Sequence, residues 1–545
     1  MQTGSQIVDT QAAQALLDWA TGDTSRLCQV TGARGCGKSQ LLAHFLVSWG
    51  STPGTVVHAT VPAKGLHVDG LAWELGRQLG YGPQPVHGLV DRVAADPRPL
   101  LMLVPDLHLT RDPAAAVAGL LNPLLRVPRV RMVVESDDEA LFEETASVVV
   151  LGPGAYEPPL PQGDFASLLS TVPRTAHQRP DWANTPRKDR ERLLDQAPDQ
   201  EAIWVLLSDP EFLLHGPATA ISAALAEPNT PAPPSLRAVW PLVAPQLSAL
   251  EHGTTQRAAL LHTAALAHDA ALANSLRSLA QEHPLHAVWA HSGFPVTALA
   301  SLAEGAVAAA DPLGSLHTLD PGTGHHTGTL PAPPTARPYQ MAAARLLLDE
   351  QGALLPATGD DPVADAIAAY HGQAAFAPEP VRPTALGSDP SAATAVIGDD
   401  QGAVHVWPLA TYQPFPRTTR LHTAPVTATA CLHLADDEVT LVFSAGMDGT
   451  VRLWGLGSEP MSDPIERRPS VVTALAAANT PSGPVLATAW NDAELHLTNV
   501  LTGRTRAFPL LQEASALAFT PNGLLMVGGP NITYGLRISP GQESR

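Results

Sequence analysis

Eight residues near the start of the chain have the types and spacing of a phosphate-binding loop. Residues 32–39 read Gly-Ala-Arg-Gly-Cys-Gly-Lys-Ser, after an apolar run and before a helical pattern. Glycines at this spacing let the backbone curl so that its N–H groups point at phosphate oxygens, and the positive end of the following helix adds to the attraction. Lys38 would reach the β- and γ-phosphates, and the Ser39 hydroxyl would bind Mg²⁺. The sequence therefore predicts a nucleoside triphosphate site, with ATP or ADP and Mg²⁺ as ligands.

Lysine is nearly absent from the rest of the chain, where only Lys64 and Lys188 accompany Lys38. A lysine retained at a motif position in such a background is hard to attribute to a chance match, although a glycine-rich turn that happens to fit is the alternative. The wealth of Arg, Ala, Pro and Gly is typical of a high-GC bacterial, actinobacterial-like genome. The residues expected to bind nucleotide are Gly32, Ala33, Arg34, Gly35, Cys36, Gly37, Lys38, Ser39 and Gln40.

An acidic residue is expected at the tip of a neighbouring strand. The apolar run 100–104 is followed, after one proline, by Asp106. This carboxylate would hold the Mg²⁺ through water, together with Ser39; an ordinary turn aspartate is the alternative. Leu107 and His108 follow it, rather than a second acid that could orient the attacking water.

Two further groups are candidates for the phosphate site. Glu135 and Ser136 end the fourth predicted strand, where a residue would sense the γ-phosphate or orient the attacking water. Solvated residues at a strand end are the alternative. Arg34, Arg129 and Arg131 are candidates for phosphate contact, although the pattern favours ordinary surface arginines.

The elements around these residues alternate between short apolar runs and helical patterns over residues 9–151. Helices are predicted at 40–49 and 68–79 because their apolar residues share one face. Five strands separated by helices predict a parallel α/β sheet. The predicted strands are 27–31, 55–60, 100–104, 130–134 and 148–151.

A Pro- and Gly-rich stretch at 152–163 predicts a linker, and beyond it the strand signal stops. The segments that follow predict a small helical domain interrupted by a loop at 228–234. Three domains are therefore expected, at 1–160, 161–285 and 286–545. The predicted helices are 164–169, 190–194, 201–207, 218–225, 236–250 and 255–280.

An internal repeat begins at about residue 286. Similar segments align with steps of 87, 43, 46 and 42 residues, and a weaker copy at 341–345 divides the first step. Six units with a period of about 43 residues predict an all-β propeller. Residues 287–291 are expected to supply an outer strand that closes the ring with the last unit, since closure removes sheet edges. The aligned positions are Thr297, Thr384, Thr427, Thr473 and Ser515.

Three units carry a stronger signature. Residues 398–407 and 446–454 each run from a glycine-rich turn with Asp into an alternating strand that ends in Trp. Residues 470–502 match less closely, with Asn491 and Asp492 at the turn. These three units resemble WD repeats.

Composition excludes several classes of protein. The 545 residues include 45% hydrophobic and only 15% charged residues, so several domains and no long disordered tract are expected. A net charge of −20 argues against a nucleic-acid-coating surface. The three cysteines predict neither a metal knuckle nor a disulfide framework, and neither a secretory signal nor a membrane-spanning apolar run is recognised. A reducing cytoplasm is the expected location.

The N-terminal order resembles the STAND class of P-loop ATPases. The phosphate loop, the segment 65–80 and the strand that precedes Asp106 carry this resemblance, and the helical region and WD-like repeats continue it. The resemblance implies a slow ATPase that is held closed with ADP, senses a protein partner through its repeats, exchanges to ATP and often oligomerises. Under it, Glu135 and Asp106 would serve hydrolysis, and the helical domain would be the lever.

The phosphate loop begins so early that a separate effector protein is expected to deliver the output. A nucleotide-controlled signalling switch, for instance in bacterial defence or stress, is the first hypothesis. A structural adaptor whose bound nucleotide only supports the fold is the alternative. A metabolic P-loop kinase is disfavoured, because it would not explain the helical domain and the repeats.

Overall fold

The chain separates into two compact units. One comprises Met1–Arg237 with Leu247–Leu250, and the other comprises Ala238–Gln246 with Glu251–Arg545. The three-domain division at 160 and 285 stays a prediction, and the predicted linker at 152–163 lies outside the described residues. The computed structural model describes residues 10–22, 25–32, 36–50, 56–136, 142–151, 165–248, 253–302, 305–333, 337–349, 351–358, 360–376, 378, 380–434, 439–481 and 483–539.

A parallel sheet forms the centre of the first unit. Among the described residues it has five strands in the order β2-β3-β4-β1-β5, and every pairing is parallel, so all carboxyl ends lie at one edge. The predicted strands are present, although β2 begins only at Ala59. The strands are β1 (Leu27–Gly32), β2 (Ala59–Thr60), β3 (Leu100–Val104), β4 (Val130–Glu135) and β5 (Ser147–Leu151).

Helices cover both faces of this sheet, because alternate residues of its buried strands point to opposite sides. Leu103 packs with Leu16 and Phe45 on the face covered by α1 and α2. Met102 packs on the other face with Leu71 of α3. The first helices are α1 (Thr10–Thr21), α2 (Lys38–Gly50), α3 (Val68–Leu79), α4 (Val86–Ala95), α5 (Pro113–Ala116) and α6 (Asn122–Leu125).

The described residues between 165 and 281 are mainly helical, as predicted, with two main differences. An additional helix spans Pro210–His215, where the Asp209 carboxylate accepts the N–H of Glu211 and caps it. The predicted helix at 255–280 is two helices, because Asp269 leaves helical geometry and its carboxylate accepts the N–H of Leu272 at 2.9 Å, which caps a new helix. No helix of the described residues is long and apolar enough to cross a membrane. These helices are α7 (Phe165–Thr171), α8 (Arg187–Asp195), α9 (Gln200–Ser208), α10 (Pro210–His215), α11 (Ala218–Ala226), α12 (Leu236–Leu247), α13 (Thr254–His268) and α14 (Ala270–Gln281).

The second unit contains a six-bladed β-propeller. Antiparallel sheets follow one another around a ring, and the innermost strand of each contacts that of the next, with the last contacting the first. The last blade is completed by β6 (Leu285–Ser292), which pairs with β28 (Ile532–Ile538). The predicted closure by residues 287–291 and the predicted number of units are therefore confirmed.

The remaining strands follow chain order, blade by blade. Blade 1 has β7 (Ala298–Ser301), β8 (Val307–Ala310), β9 (Leu316–Leu319) and β10 (His326–Leu330); blade 2 has β11 (Pro338–Ala342), β12 (Leu346–Asp349) and β13 (Leu354–Pro356); blade 3 has β14 (Pro383–Ser388), β15 (Thr394–Asp399), β16 (Ala403–Pro408) and β17 (Arg417–Arg420). Blade 4 has β18 (Val426–Leu434), β19 (Val439–Gly446), β20 (Thr450–Gly455) and β21 (Glu466–Arg467); blade 5 has β22 (Val472–Thr480), β23 (Gly483–Trp490), β24 (Glu494–Asn499) and β25 (Thr505–Pro509); blade 6 has β26 (Ala516–Phe519), β27 (Leu524–Gly528), β28 and β6.

Blade 2 has a helix, α15 (Pro362–Ala374), after its third strand. Asp361 caps this helix by accepting the N–H groups of Val363 and Ala364, and the proline at the first helical position favours the helix start. Ile367 of α15 packs in one apolar cluster with Trp407 of blade 3. The helix explains why the repeat is weak here.

The hydroxyl residues that reveal the repeat link neighbouring blades. Four of the five aligned side chains donate a hydrogen bond to a carbonyl in the next blade around the ring, whereas Thr427 donates within its own blade, to Ala445. The same residue type therefore recurs because the same inter-blade bond recurs. The bonds join Thr297 to Pro338, Thr384 to Val426, Thr473 to Ala514 and Ser515 to Val296.

Candidate functional site

The loop between β1 and α2 needs glycine where it leaves the sheet. Gly32 has φ +149°, and a Cβ there would lie 2.9 Å from the carbonyl oxygen of Leu151. No other residue fits without moving the neighbouring strand. Of the predicted nucleotide-binding residues, Ala33, Arg34 and Gly35 lie outside the described residues, as does the side chain of Gln40.

Lys38 opens α2 and is almost fully buried. Its Nζ donates a hydrogen bond to the carbonyl oxygen of Gly32 at 2.7 Å, so the side chain turns back across the loop. The same Nζ lies 3.9 Å from Oε1 of Glu135, which is too long for a direct hydrogen bond. Ser39 follows on an exposed part of the helix, whereas Cys36 is half-buried. The ammonium is thus held beside the loop by a carbonyl and a nearby carboxylate.

Glu135 and Asp106 meet at the same edge of the sheet. The backbone N–H of Asp106 donates to Oε2 of Glu135 at 3.3 Å. Asp106 has φ 56°, a left-handed conformation that aspartate tolerates better than most residues. Burial, and next the negative charge of Asp106, raise the pKa of Glu135. The sheet therefore brings Lys38, Asp106 and Glu135 together, and Ser136 is buried beside them with its N–H bonded to Val30.

His108 belongs to this group, although the sequence indicated only that it stands where an acid was expected. It lies in a single 3₁₀ turn, Leu107–Leu109, directly after Asp106. One ligand atom from each of Asp106, His108 and Glu135 lies within 4.8 Å of the other two. Two carboxylates and an imidazole are suitable donors for a divalent cation, so the residues present fit a metal ion. The sequence signal for His108 is its place two residues after Asp106, and this spacing alone does not show that the imidazole meets the two carboxylates.

Two of the candidate arginines lie elsewhere. Arg129 precedes β4 and Arg131 is its second residue, so both are at the opposite edge of the sheet from Glu135. Arg129 donates to the carbonyl of Asp96, and Arg131 donates to that of Trp19 and stacks over its ring at 4.5 Å. They support the fold at that edge.

The propeller offers a cavity of about 560 Å³ at the start of its inner strands. Most of the exposed lining is apolar, and Tyr339, Gln340 and Glu513 provide polar groups. Thr297, Thr473 and Ser515, which bond between blades, form part of this wall, so the cavity is a direct consequence of the repeat. Its size and mixed lining suit a side chain or a short peptide segment.

No family model matches the chain, and no curated protein matches it. Among solved structures, the chain is similar to the β-propeller domain of Cps50 (Swd1) from Myceliophteria thermophila, with 12% identity and a TM-score of 0.33 over 47% of this chain and 100% of that chain. It is also similar to the computationally designed protein Ika8, with 20% identity and a TM-score of 0.26 over 45% of this chain and 70% of that one. A second designed protein, Ika4, shares 25% identity with a TM-score of 0.23 over 29% of this chain and 91% of the other.

Proposed function

We propose that this protein binds Mg²⁺ and ATP or ADP at the 32–39 loop and binds a protein partner through its propeller. The observation that carries the proposal is Lys38, a buried ammonium at the first residue of α2, beside the loop and near Glu135. A buried cation at the carboxyl edge of a parallel sheet, next to a helix N-terminus, suits an anionic phosphate.

Different residues of the site would bind phosphate, hold Mg²⁺ and orient water. Lys38 would exchange its carbonyl partner for phosphate oxygens, and the N–H groups at the start of α2 would bind other phosphate oxygens. The Ser39 hydroxyl and the Asp106 carboxylate would hold Mg²⁺, which neutralises phosphate charge when bound. Glu135, whose pKa is raised, is the candidate to orient the water for hydrolysis. Slow turnover is expected because His108 stands where a second acid would act.

Nucleotide state would then control what the propeller binds, which makes the protein a signalling ATPase switch. A six-bladed propeller with a lined cavity is a common form for a protein-interaction module, and this supports the partner half of the proposal. A separate effector protein and self-assembly belong to the same proposal. The second candidate is an adaptor that holds nucleotide without exchange.

Titration with Mg²⁺–ATP tests the nucleotide half. Lys38→Ala should weaken binding by about 100-fold, roughly 2.7 kcal/mol, because a buried charge-assisted bond to phosphate is lost. Lys188→Ala is the matched control, since Lys188 is an exposed lysine in α8, and it should bind as the unaltered protein does. Equal affinity of the Lys38 and Lys188 variants for Mg²⁺–ATP would show that the 32–39 loop does not bind the nucleotide.

Hydrogen exchange separates the switch from the adaptor without a known partner. The protein is measured with ADP and with a non-hydrolysable ATP analogue. The switch predicts that amide protection in the second unit differs between the two nucleotides. The adaptor predicts the same protection with both.

A further inference from the structure

We propose that Asp106, His108 and Glu135 form a binding site for a divalent transition-metal ion such as Mn²⁺, and that Lys38 competes with this ion for Glu135. The site itself is independent of the nucleotide proposal. The regulation of this site by nucleotide rests on the proposed function, because bound phosphate would draw Lys38 away from Glu135 and so free this carboxylate for the metal ion.

The placement of the three ligands is fixed by the sheet. Asp106 follows β3 and Glu135 ends β4, and these two strands are paired along their length. The hydrogen bond from the N–H of Asp106 to Glu135 ties the two strand ends together. The ligand atoms lie within 4.8 Å of one another, so small side-chain rotations bring them around one ion.

The imidazole of His108 decides which metal is preferred. Mg²⁺ takes oxygen ligands and keeps its waters, whereas imidazole nitrogen suits later divalent ions. Mn²⁺ prefers oxygen ligands but also accepts imidazole, so it is the weakest-binding member of this series that fits the mixed set, and it serves as the paramagnetic probe. The site shares Asp106 with the Mg²⁺ site expected for Ser39 and Asp106, but it differs from that site because it takes a nitrogen ligand and uses Glu135.

Lys38 is the group that opposes the metal. Its ammonium lies 3.9 Å from Oε1 of Glu135, in a setting where both side chains are at least nine-tenths buried. An incoming cation would meet this positive charge at short range and low dielectric, which weakens its binding. Phosphate offers Lys38 a better partner than Glu135 at that distance, so nucleotide removes the repulsion and frees the carboxylate. Metal and nucleotide thus bind cooperatively.

Electron paramagnetic resonance of Mn²⁺ without nucleotide tests the site. Lys38→Met should raise Mn²⁺ affinity about tenfold over the unaltered protein, because a like charge beside the site is removed. In the Lys38→Met background, nitrogen coupling to the bound Mn²⁺ should appear, and adding His108→Ala should abolish it and lower the affinity. His87→Ala, at an exposed histidine of α4, is the matched control and should leave both unchanged.

The outcomes separate the two proposals. Unchanged Mn²⁺ affinity in Lys38→Met, with circular dichroism showing a folded protein, overturns the competition; Lys38→Gln repeats the test if the first variant does not fold. Nitrogen coupling that persists after His108→Ala would show that His108 is not a ligand of the ion and would overturn the proposed metal site. If nucleotide binding fails while Lys38→Met still gains Mn²⁺ affinity with His108 coupling, the proposed function fails and the metal site stands.

Discussion

Both units bury ionisable side chains, but they satisfy them differently. In blade 4, the ring of His422 bonds through Nε2 to Ser444 at 2.8 Å and through Nδ1 to Asp448 at 3.2 Å. The Asp448 carboxylate also accepts the N–H and hydroxyl of Thr450. At the edge of the parallel sheet, by contrast, Lys38 bonds to a backbone carbonyl, that of Gly32 at 2.7 Å, and its ammonium stands 3.9 Å from Glu135, beyond hydrogen-bond reach.

The difference indicates which buried polar groups serve the fold and which are available to a ligand. A network whose members all bond to one another is stabilising and specifies a single arrangement. Buried charges that converge from a helix and a strand, and bond to backbone groups rather than to each other, are retained at some cost to stability, and such sites are typical of function. Asp448 and His422 are therefore structural, whereas Lys38 and Glu135 belong to the site for which we propose a charged ligand.

The largest expected effect on stability is in the propeller. Asp448→Ala removes the acceptor for His422 and for Thr450, and should lower the free energy of unfolding of the second unit by about 3 kcal/mol. Urea unfolding followed by tryptophan fluorescence measures it. Asp463→Ala, at an exposed aspartate of the same blade, is the control and should change little. Nucleotide affinity should be the same in both variants, and a loss in Asp448→Ala alone would break the comparison.

A pH dependence should follow from the buried histidine of α15. Burial lowers the pKa of His371 to about 3, with His405 and Asp399 beside it, and the ring accepts the indole N–H of Trp407 at 3.2 Å. Between the two pKa values, the His371 side chain of the unfolded chain binds a proton that the folded chain does not bind. The contribution of His371 to the free energy of unfolding is therefore complete above the ordinary pKa of 6.5 and is lost as pH falls toward 3. The loss should be about 1.4 kcal/mol for each pH unit below that value.

Comparison of His371→Gln with the unaltered protein isolates that contribution. Glutamine keeps an acceptor for Trp407 but does not titrate in this range. Unfolding free energies are compared at neutral pH and about one pH unit below the ordinary histidine pKa. The unaltered protein should lose more stability on acidification than the variant does, although His262, whose pKa burial lowers to about 4, contributes in the same direction in both. An equal loss would show that His371 is not a buried neutral group.

The smallest expected effect is at the sheet edge. Glu135→Gln keeps an acceptor for the N–H of Asp106 and removes a carboxylate whose pKa burial has raised. Loss of the distant attraction to Lys38 opposes that gain, so the stability of the first unit should change by less than about 1 kcal/mol. Thermal unfolding without ligand measures this. A destabilisation as large as that of Asp448→Ala would show that both regions serve the fold alike.

The repeat was the most predictable part of the fold. Thr297, Thr384 and Thr473 recur because each side chain donates the same hydrogen bond to the next blade. A hydroxyl residue is therefore needed at the same position of these blades. The closing strand was predictable for a similar reason, since an open edge is costly. The helix α15 was not predictable from the repeat, because it lies in the blade where the repeat is weakest and it begins at a local cap, Asp361.

The candidate site was predictable where chain order fixes position. Strand-end residues such as Asp106 and Glu135 must meet at one edge of a parallel sheet, and they do. By the same rule, Arg129 and Arg131 at the strand start lie at the other edge. The part played by His108 was not predictable, because it depends on a single 3₁₀ turn whose side-chain directions no periodicity reveals.

The most direct test of nucleotide binding at the 32–39 loop is to denature the purified protein and identify any released nucleotide by chromatography. We expect near-stoichiometric adenine nucleotide. ADP would show that the site hydrolyses and then retains its product, as a switch does, and ATP would show binding without turnover. Release of no nucleotide, together with no binding when Mg²⁺–ATP is added, would contradict nucleotide binding at the 32–39 loop.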